Sequence, residues 1–147
     1  MDKKGFMENV ERAYDKKEIR PEGLLMFHLL NLTFSYDDEK KTCQIECPIS
    51  EVMLNPIGVV HGGIYTYIAD TAMGHLNFRY KQASYVSLEL KTSYLKATSA
   101  GKIRASARFV KEGYNVVFAE CTIENEAGEV MCITTGTFYR YEKKTRE

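Results

Sequence analysis

A chain of 147 residues has the length of about one domain, and its 44% hydrophobic content can bury one core. Its 20 basic and 20 acidic residues give a formal net charge of +0, so the global attraction of a nucleic-acid binder is missing. No apolar run is long enough for a membrane span, and Met1-Asp2-Lys3-Lys4-Gly5 lacks a signal peptide's apolar core; the expectation is a cytoplasmic protein with no membrane span.

Residues 2–18 are charged, with Phe6, Val10, Ala13 and Tyr14 spaced as the stripe of an amphipathic helix. Arg20-Pro21-Glu22-Gly23 is a breaker. The chain therefore divides into an N-terminal helix and breaker (1–23), one domain (24–141) and a charged tail expected to fray (142–147). Within the domain, Leu24 to Leu30 suggests a helical turn and Leu32 to Tyr36 a strand. Thr42 to Ile49 reads as a second strand, with Cys43, Ile45 and Cys47 on one face.

Ile64 to Phe78 reads as a long helix whose one formal charge is Asp70, so it should be buried on most sides. Tyr85 to Leu95 is a strand in which simple alternation puts Val86, Leu88 and Leu90 on one face and Ser87 on the other. Ile103, Ala105, Ala107 and Phe109 alternate with Arg104, Ser106 and Arg108 in the next strand. Val116 to Ile123 has the apolar content of a central strand, and Asn125-Glu126-Ala127-Gly128 turns the chain into a last strand, Val130 to Tyr141. Strands of period two need one face covered, and only the long helix is apolar enough to cover it. The fold class is α+β: an antiparallel sheet wrapped around a central helix, its last four strands read as a meander.

Cys43, Cys47, Cys121 and Cys132 match no zinc or redox spacing and read as small buried side chains, reduced in the cytosol. No metal site is expected.

The segment Asn55-Pro56-Ile57-Gly58-Val59-Val60-His61-Gly62-Gly63 leads into the helix that carries Asp70. Two glycines at a helix start let a ligand approach unpaired backbone N–H groups, which lie at the positive end of the helix dipole and suit a developing negative charge. An acid in an apolar helix is desolvated unless hydrogen-bonded, and acids so placed are often functional. A neighbouring hydroxyl, such as Thr66 or Thr71, would give Asp70 a purely structural role instead. An oxyanion site beside a buried acid suggests acyl chemistry.

The pattern N-x-x-G-x-x-H-G-G-x6-D resembles the signature of hotdog-fold acyl-CoA thioesterases, in particular the phenylacetyl-CoA thioesterase-like branch. Val86-Ser87-Leu88-Glu89-Leu90-Lys91-Thr92-Ser93-Tyr94-Leu95 resembles that family's first strand after the helix, and the likeness extends over roughly Leu24 to Tyr141. The resemblance implies the hotdog fold and hydrolysis of an acyl-CoA or aryl-CoA to free acid and CoA. CoA would be part of the substrate, and no cofactor is expected.

The resemblance makes Asp70 the general base or the nucleophile and the Gly62 N–H the donor to the thioester carbonyl. It makes Ser87 a hydroxyl that positions water, and Asn55 a residue that holds the carbonyl or the loop. Read as residues, Asn55 is equally an Asn-Pro turn starter and Ser87 an ordinary strand serine. His61 could orient Asn55, bond near the carbonyl, or be structural. Gly63 and Val60 are assigned to substrate binding. Gly74, one turn past Asp70, has no hydroxyl, which disfavours the branch that uses one there.

Gly62 and Asp70 are separated by eight residues, roughly 12 Å along a helix at about 1.5 Å per residue. One helix cannot easily bring both to the same carbonyl; two antiparallel copies can. The expectation is a homodimer with shared sites, which the resemblance extends to a homotetramer. Arg79, Lys81, Lys91, Lys96 and Lys111 are candidates for the CoA phosphates. Tyr65, Tyr67, Met73, Phe78 and Tyr80 suit an aromatic or a medium aliphatic acyl group. Two other readings stand beside the hydrolase. One is a non-catalytic acyl-CoA sensor, which would need no base. The other is a hotdog dehydratase pairing Asp70 with a His, but His75 falls about 140° around the helix from Asp70.

Overall fold

The computed structural model describes residues 3–18 and 20–142. Met1, Asp2, Ile19 and the expected tail beyond Glu142 lie outside the described residues. The elements are α1 (Lys3–Lys16), α2 (Leu25–Leu29), β1 (Thr33–Asp37), β2 (Thr42–Pro48), α3 (Gly62–Lys81), β3 (Tyr85–Tyr94), β4 (Lys102–Glu112), β5 (Val116–Asn125) and β6 (Val130–Arg140). A short 3-10 turn, Glu51–Met53, precedes the loop that enters α3.

All six strands form one antiparallel sheet in the order β1-β2-β4-β5-β6-β3. The sheet curls around α3, whose Ile68, Ala69, Ala72, Met73 and Leu76 pack into a single core with Ile45, Ile103, Ala105, Ile123, Met131 and Phe138. This is the hotdog fold. Period two decides which strand residues enter the core: Cys43, Ile45 and Cys47 of β2 and Ile103, Ala105 and Ala107 of β4 are all buried. The outward positions between them carry charge and meet across strands, as in the Arg104–Glu46 and Arg108–Glu120 ion pairs.

The meander reading needs correction. Only β4, β5 and β6 run as one; β3 crosses to the far edge and pairs with β6, while β2 takes the place beside β4. Alternation fixes which face a strand buries, but it carries no information on which strand lies beside it.

A second correction concerns β3. Its register with β6 shifts between Ser87 and Glu89, so Leu88 is an extra, bulged residue. Ser87 pairs with buried Phe138, and Leu90 pairs with Gly136, another buried position. Ser87 and Leu90 therefore share the helix-facing side, whereas Val86 pairs with the outward Tyr139 and Leu88 is 63% exposed.

At the N-terminus, Ala13 of α1 is buried and Asn9 Nδ2 donates to the Leu29 carbonyl at 3.1 Å, which docks α1 on α2. Tyr14, expected on the apolar stripe, is exposed. Among the described residues no helix is long and apolar enough to cross a membrane.

Candidate active site

Three local constraints shape the start of α3. The Asn55 side-chain oxygen accepts the Ile57 and Val59 N–H groups at 3.1 and 3.3 Å and closes the loop, in which Gly58 takes φ +79°. A bridge between Leu54 and Val60 then ties the loop's ends, while the Val60 N–H donates to Thr98 and the His61 N–H to Met53. Finally, His61 caps the helix: its backbone is extended (φ −64°, ψ 134°), and its Nδ1 accepts the Gly63 N–H at 2.9 Å. An accepting Nδ1 carries no proton in this contact.

These contacts distinguish the two glycines. The Gly63 N–H is taken by His61, whereas the Gly62 N–H has no acceptor among the described residues. Gly62 therefore presents the free donor at the positive end of a 20-residue helix. His61 acts on its own helix rather than on Asn55, and the Asn55 oxygen is committed to the turn.

Asp70 lies two turns further along, on a stripe of α3 that the sheet leaves uncovered: Gly63 is exposed, and Thr66, Tyr67, Asp70, Thr71 and Gly74 are only partly buried. The expectation of a helix buried on most sides holds for the opposite face alone. Burial raises the Asp70 pKa above its usual value, and the nearby Ser87 hydroxyl pulls it part of the way back. The hydroxyls expected from sequence are engaged elsewhere. Thr71 Oγ1 donates to the Tyr67 carbonyl at 2.8 Å, and Thr66 Oγ1 meets Thr92 and Tyr94. The partner of Asp70 comes from β3, and it is the bulge that turns Ser87 toward the helix.

His75 is held apart from this group. It is buried against Phe34, with ring centroids 4.3 Å apart, and its Nδ1 lies 2.9 Å from the Tyr36 hydroxyl. A joint role with Asp70 has no support in that placement. Among the described residues no cluster of three His, Cys, Asp or Glu side chains is suited to a metal ion.

A cavity of about 390 Å³ opens beside the helix start, lined by Val60, Gly62, Tyr65, Tyr94, Leu95 and Lys96 among others. Of the basic candidates, Lys96 lines this cavity and pairs with Glu129. Arg79 and Lys81 instead pair with Asp38 and Glu112. A smaller cavity, about 300 Å³, lies among Glu46, Arg104 and Glu124 on the charged outer face, away from α3. Tyr94 was not anticipated: its hydroxyl donates to the Gly62 carbonyl at 3.0 Å. Nothing in the sequence pattern distinguishes it from the other strand tyrosines.

The helix start, its free donor and the acid on the same helix all fall within residues 57–132, the segment matched by the family model of the thioesterase superfamily. The chain belongs to the thioesterase superfamily. A Haemophilus influenzae protein, whose name places it provisionally among the esterases, is 26% identical over 90 residues, 59% of this chain and 64% of that protein. The chain thus spans just under two thirds of that relative's length. The 1,4-dihydroxy-2-naphthoyl-CoA hydrolase of Listeria monocytogenes is 24% identical over 108 residues, covering 72% of this chain and 88% of the hydrolase. Among solved structures, a Bacillus halodurans protein with CoA superposes with a TM-score of 0.86 at 24% identity, covering 98% of this chain and 97% of the other. A phenylacetic acid degradation-related protein from Ralstonia eutropha gives 0.73 at 23% identity over 89% and 98%. At these identities the structural likenesses establish the fold.

Proposed function

We propose that this member of the thioesterase superfamily hydrolyses acyl-CoA or aryl-CoA thioesters. The observation that carries the reading is the pairing of a free Gly62 N–H at the helix start with a desolvated carboxylate, Asp70, on the uncovered stripe of the same helix. In the reaction the carbonyl oxygen accepts the Gly62 N–H. With Asp70 as base, the carboxylate takes a proton from water as the oxygen adds to the carbonyl carbon. The tetrahedral oxyanion then collapses, the C–S bond breaks, and CoA leaves as a thiolate that takes up a proton. With Asp70 as nucleophile, its oxygen attacks first and water cleaves the resulting anhydride.

Both groups sit on one continuous helix, roughly 12 Å apart along its axis at about 1.5 Å per residue. The active form is a homodimer in which Asp70 of one subunit serves the Gly62 site of the other. Val60 and Gly63 border that site, and Ser87 holds the attacking water or the carboxylate. Asn55 and His61 act through the loop and the helix cap rather than on the carbonyl. The cavity beside Gly62, lined in part by Lys96, is the entry for the pantetheine arm and the CoA phosphates.

Thiol release from a panel of aliphatic and aryl-CoA thioesters tests the reading. Wild type should turn over at least one class, and Asp70→Asn should lower that turnover at least about a hundredfold, the scale of a lost general base. Binding of acyl-CoA without turnover would favour the sensor. Near wild-type turnover in the variant would remove Asp70 from the chemistry.

A further inference from the structure

The mechanism leaves one polar feature unused. Four hydroxyls run in line from the core to the helix start: Thr134 to Thr92 at 2.9 Å, Thr92 to Thr66 at 3.1 Å, Thr66 to Tyr94 at 2.9 Å, and Tyr94 to the Gly62 carbonyl at 3.0 Å. Each hydroxyl has one proton to give, and a carbonyl only accepts. The Tyr94 proton therefore goes to Gly62, so Tyr94 accepts from Thr66, Thr66 from Thr92 and Thr92 from Thr134. The chain has one polarity, and its origin, Thr134, is fully buried on β6. It links β6, β3 and α3 and ends on a single peptide group.

That peptide joins Gly62 to Gly63 and is planar. Its carbonyl is held by Tyr94, and its N–H by His61 Nδ1 at 2.9 Å. Gly62 lacks a Cβ to restrict its backbone, and these contacts add to the bond by which the His61 carbonyl accepts the Ile64 N–H at 2.9 Å. The missing side chain leaves room for the contact, since a Cβ at position 62 would stand 2.9 Å from the Tyr94 ring and push it aside. Clamped at both ends, the peptide fixes the direction of the adjoining Gly62 N–H, and a donor held in place before reaction is what oxyanion stabilisation needs.

We propose that Tyr94 is a positioning residue: its hydroxyl, oriented by Thr66, Thr92 and Thr134, holds the Gly62–Gly63 peptide and aims the Gly62 N–H at the substrate carbonyl. The proposal rests on the thioesterase reading above.

Tyr94→Phe removes one oxygen from a half-exposed side chain and should fold normally, checked by thermal melting. On the best thioester its kcat should fall about tenfold, with KM within about twofold, less than the loss of a whole oxyanion donor. Thr66→Val should lower kcat in the same way, and Thr66→Ser should restore it. The assigned amide shifts of Gly62 and Gly63 should move in Tyr94→Phe. An unchanged kcat, or a raised KM alone, would overturn the proposal. If wild type cleaves no thioester, the thioesterase reading fails instead. The two glycine shifts then decide whether Tyr94 holds the peptide, and unchanged shifts would overturn that too.

Discussion

At Asp70 one displaced equilibrium links activity to stability. Burial raises its pKa above the usual 3.8, so the folded protein holds the proton more tightly than the unfolded chain does. The stabilising contribution is full below the ordinary value and is lost as pH rises through the raised one. Asp70→Asn escapes that loss, so it should melt a few degrees above wild type at pH 7, with the advantage vanishing near pH 3. In the proposed mechanism activity runs the other way, because there the ionised carboxylate does the chemistry. The acid limb of kcat/KM should therefore titrate above the ordinary value. Ser87 lowers the Asp70 pKa, so Ser87→Ala should shift that limb to higher pH and reduce kcat with little change in KM. A pH–rate profile of the two proteins checks both directions. An unmoved limb would detach Ser87 from Asp70.

The elements show what local pattern encodes and where it stops. Every strand and the long helix were legible, because period two and a run with a single charge are properties of neighbours in sequence. The cap at His61 and the turn at Asn55 left weaker signals, with several roles open for each. The bulge at Leu88 left none: one extra residue inverts the inside-outside parity of everything beyond it, and only the pairing with β6 reveals it. The same strand ends the sheet on one side, with Val86 44%, Leu88 63% and Tyr94 55% exposed. An edge strand of ten residues with exposed apolar side chains is a template for pairing with another strand. A second β3 running antiparallel would bring the uncovered stripes of two α3 helices together. Leu88→Arg should then give monomers in sedimentation experiments and lose turnover together with the dimer, while leaving the core intact. A dimeric and active variant would exclude that edge as the interface.

For the whole molecule, the separation along α3 has a consequence that subunit mixing can read. Gly62→Pro removes the donor N–H at the first helical position, where proline is tolerated. The preceding His61 is already extended, the conformation that a residue before proline prefers. The Tyr94 ring must shift, but it is the end of a half-exposed side chain. In the proposed homodimer, pairs of Gly62→Pro lack the donor and pairs of Asp70→Asn lack the acid. In a mixed dimer one site combines both defects, and the other combines an intact Asp70 with an intact Gly62. Random re-association of equal amounts makes about half of the dimers mixed, each with one of its two sites working, so the mixture should recover about a quarter of wild-type activity. A site contained in one chain predicts no recovery, because neither variant holds both groups. Refolding the two variants together and separately, then measuring thiol release at equal total protein, distinguishes these outcomes. A mixture no better than the mean of its parents would require Asp70 and Gly62 in the same chain and end the shared-site mechanism.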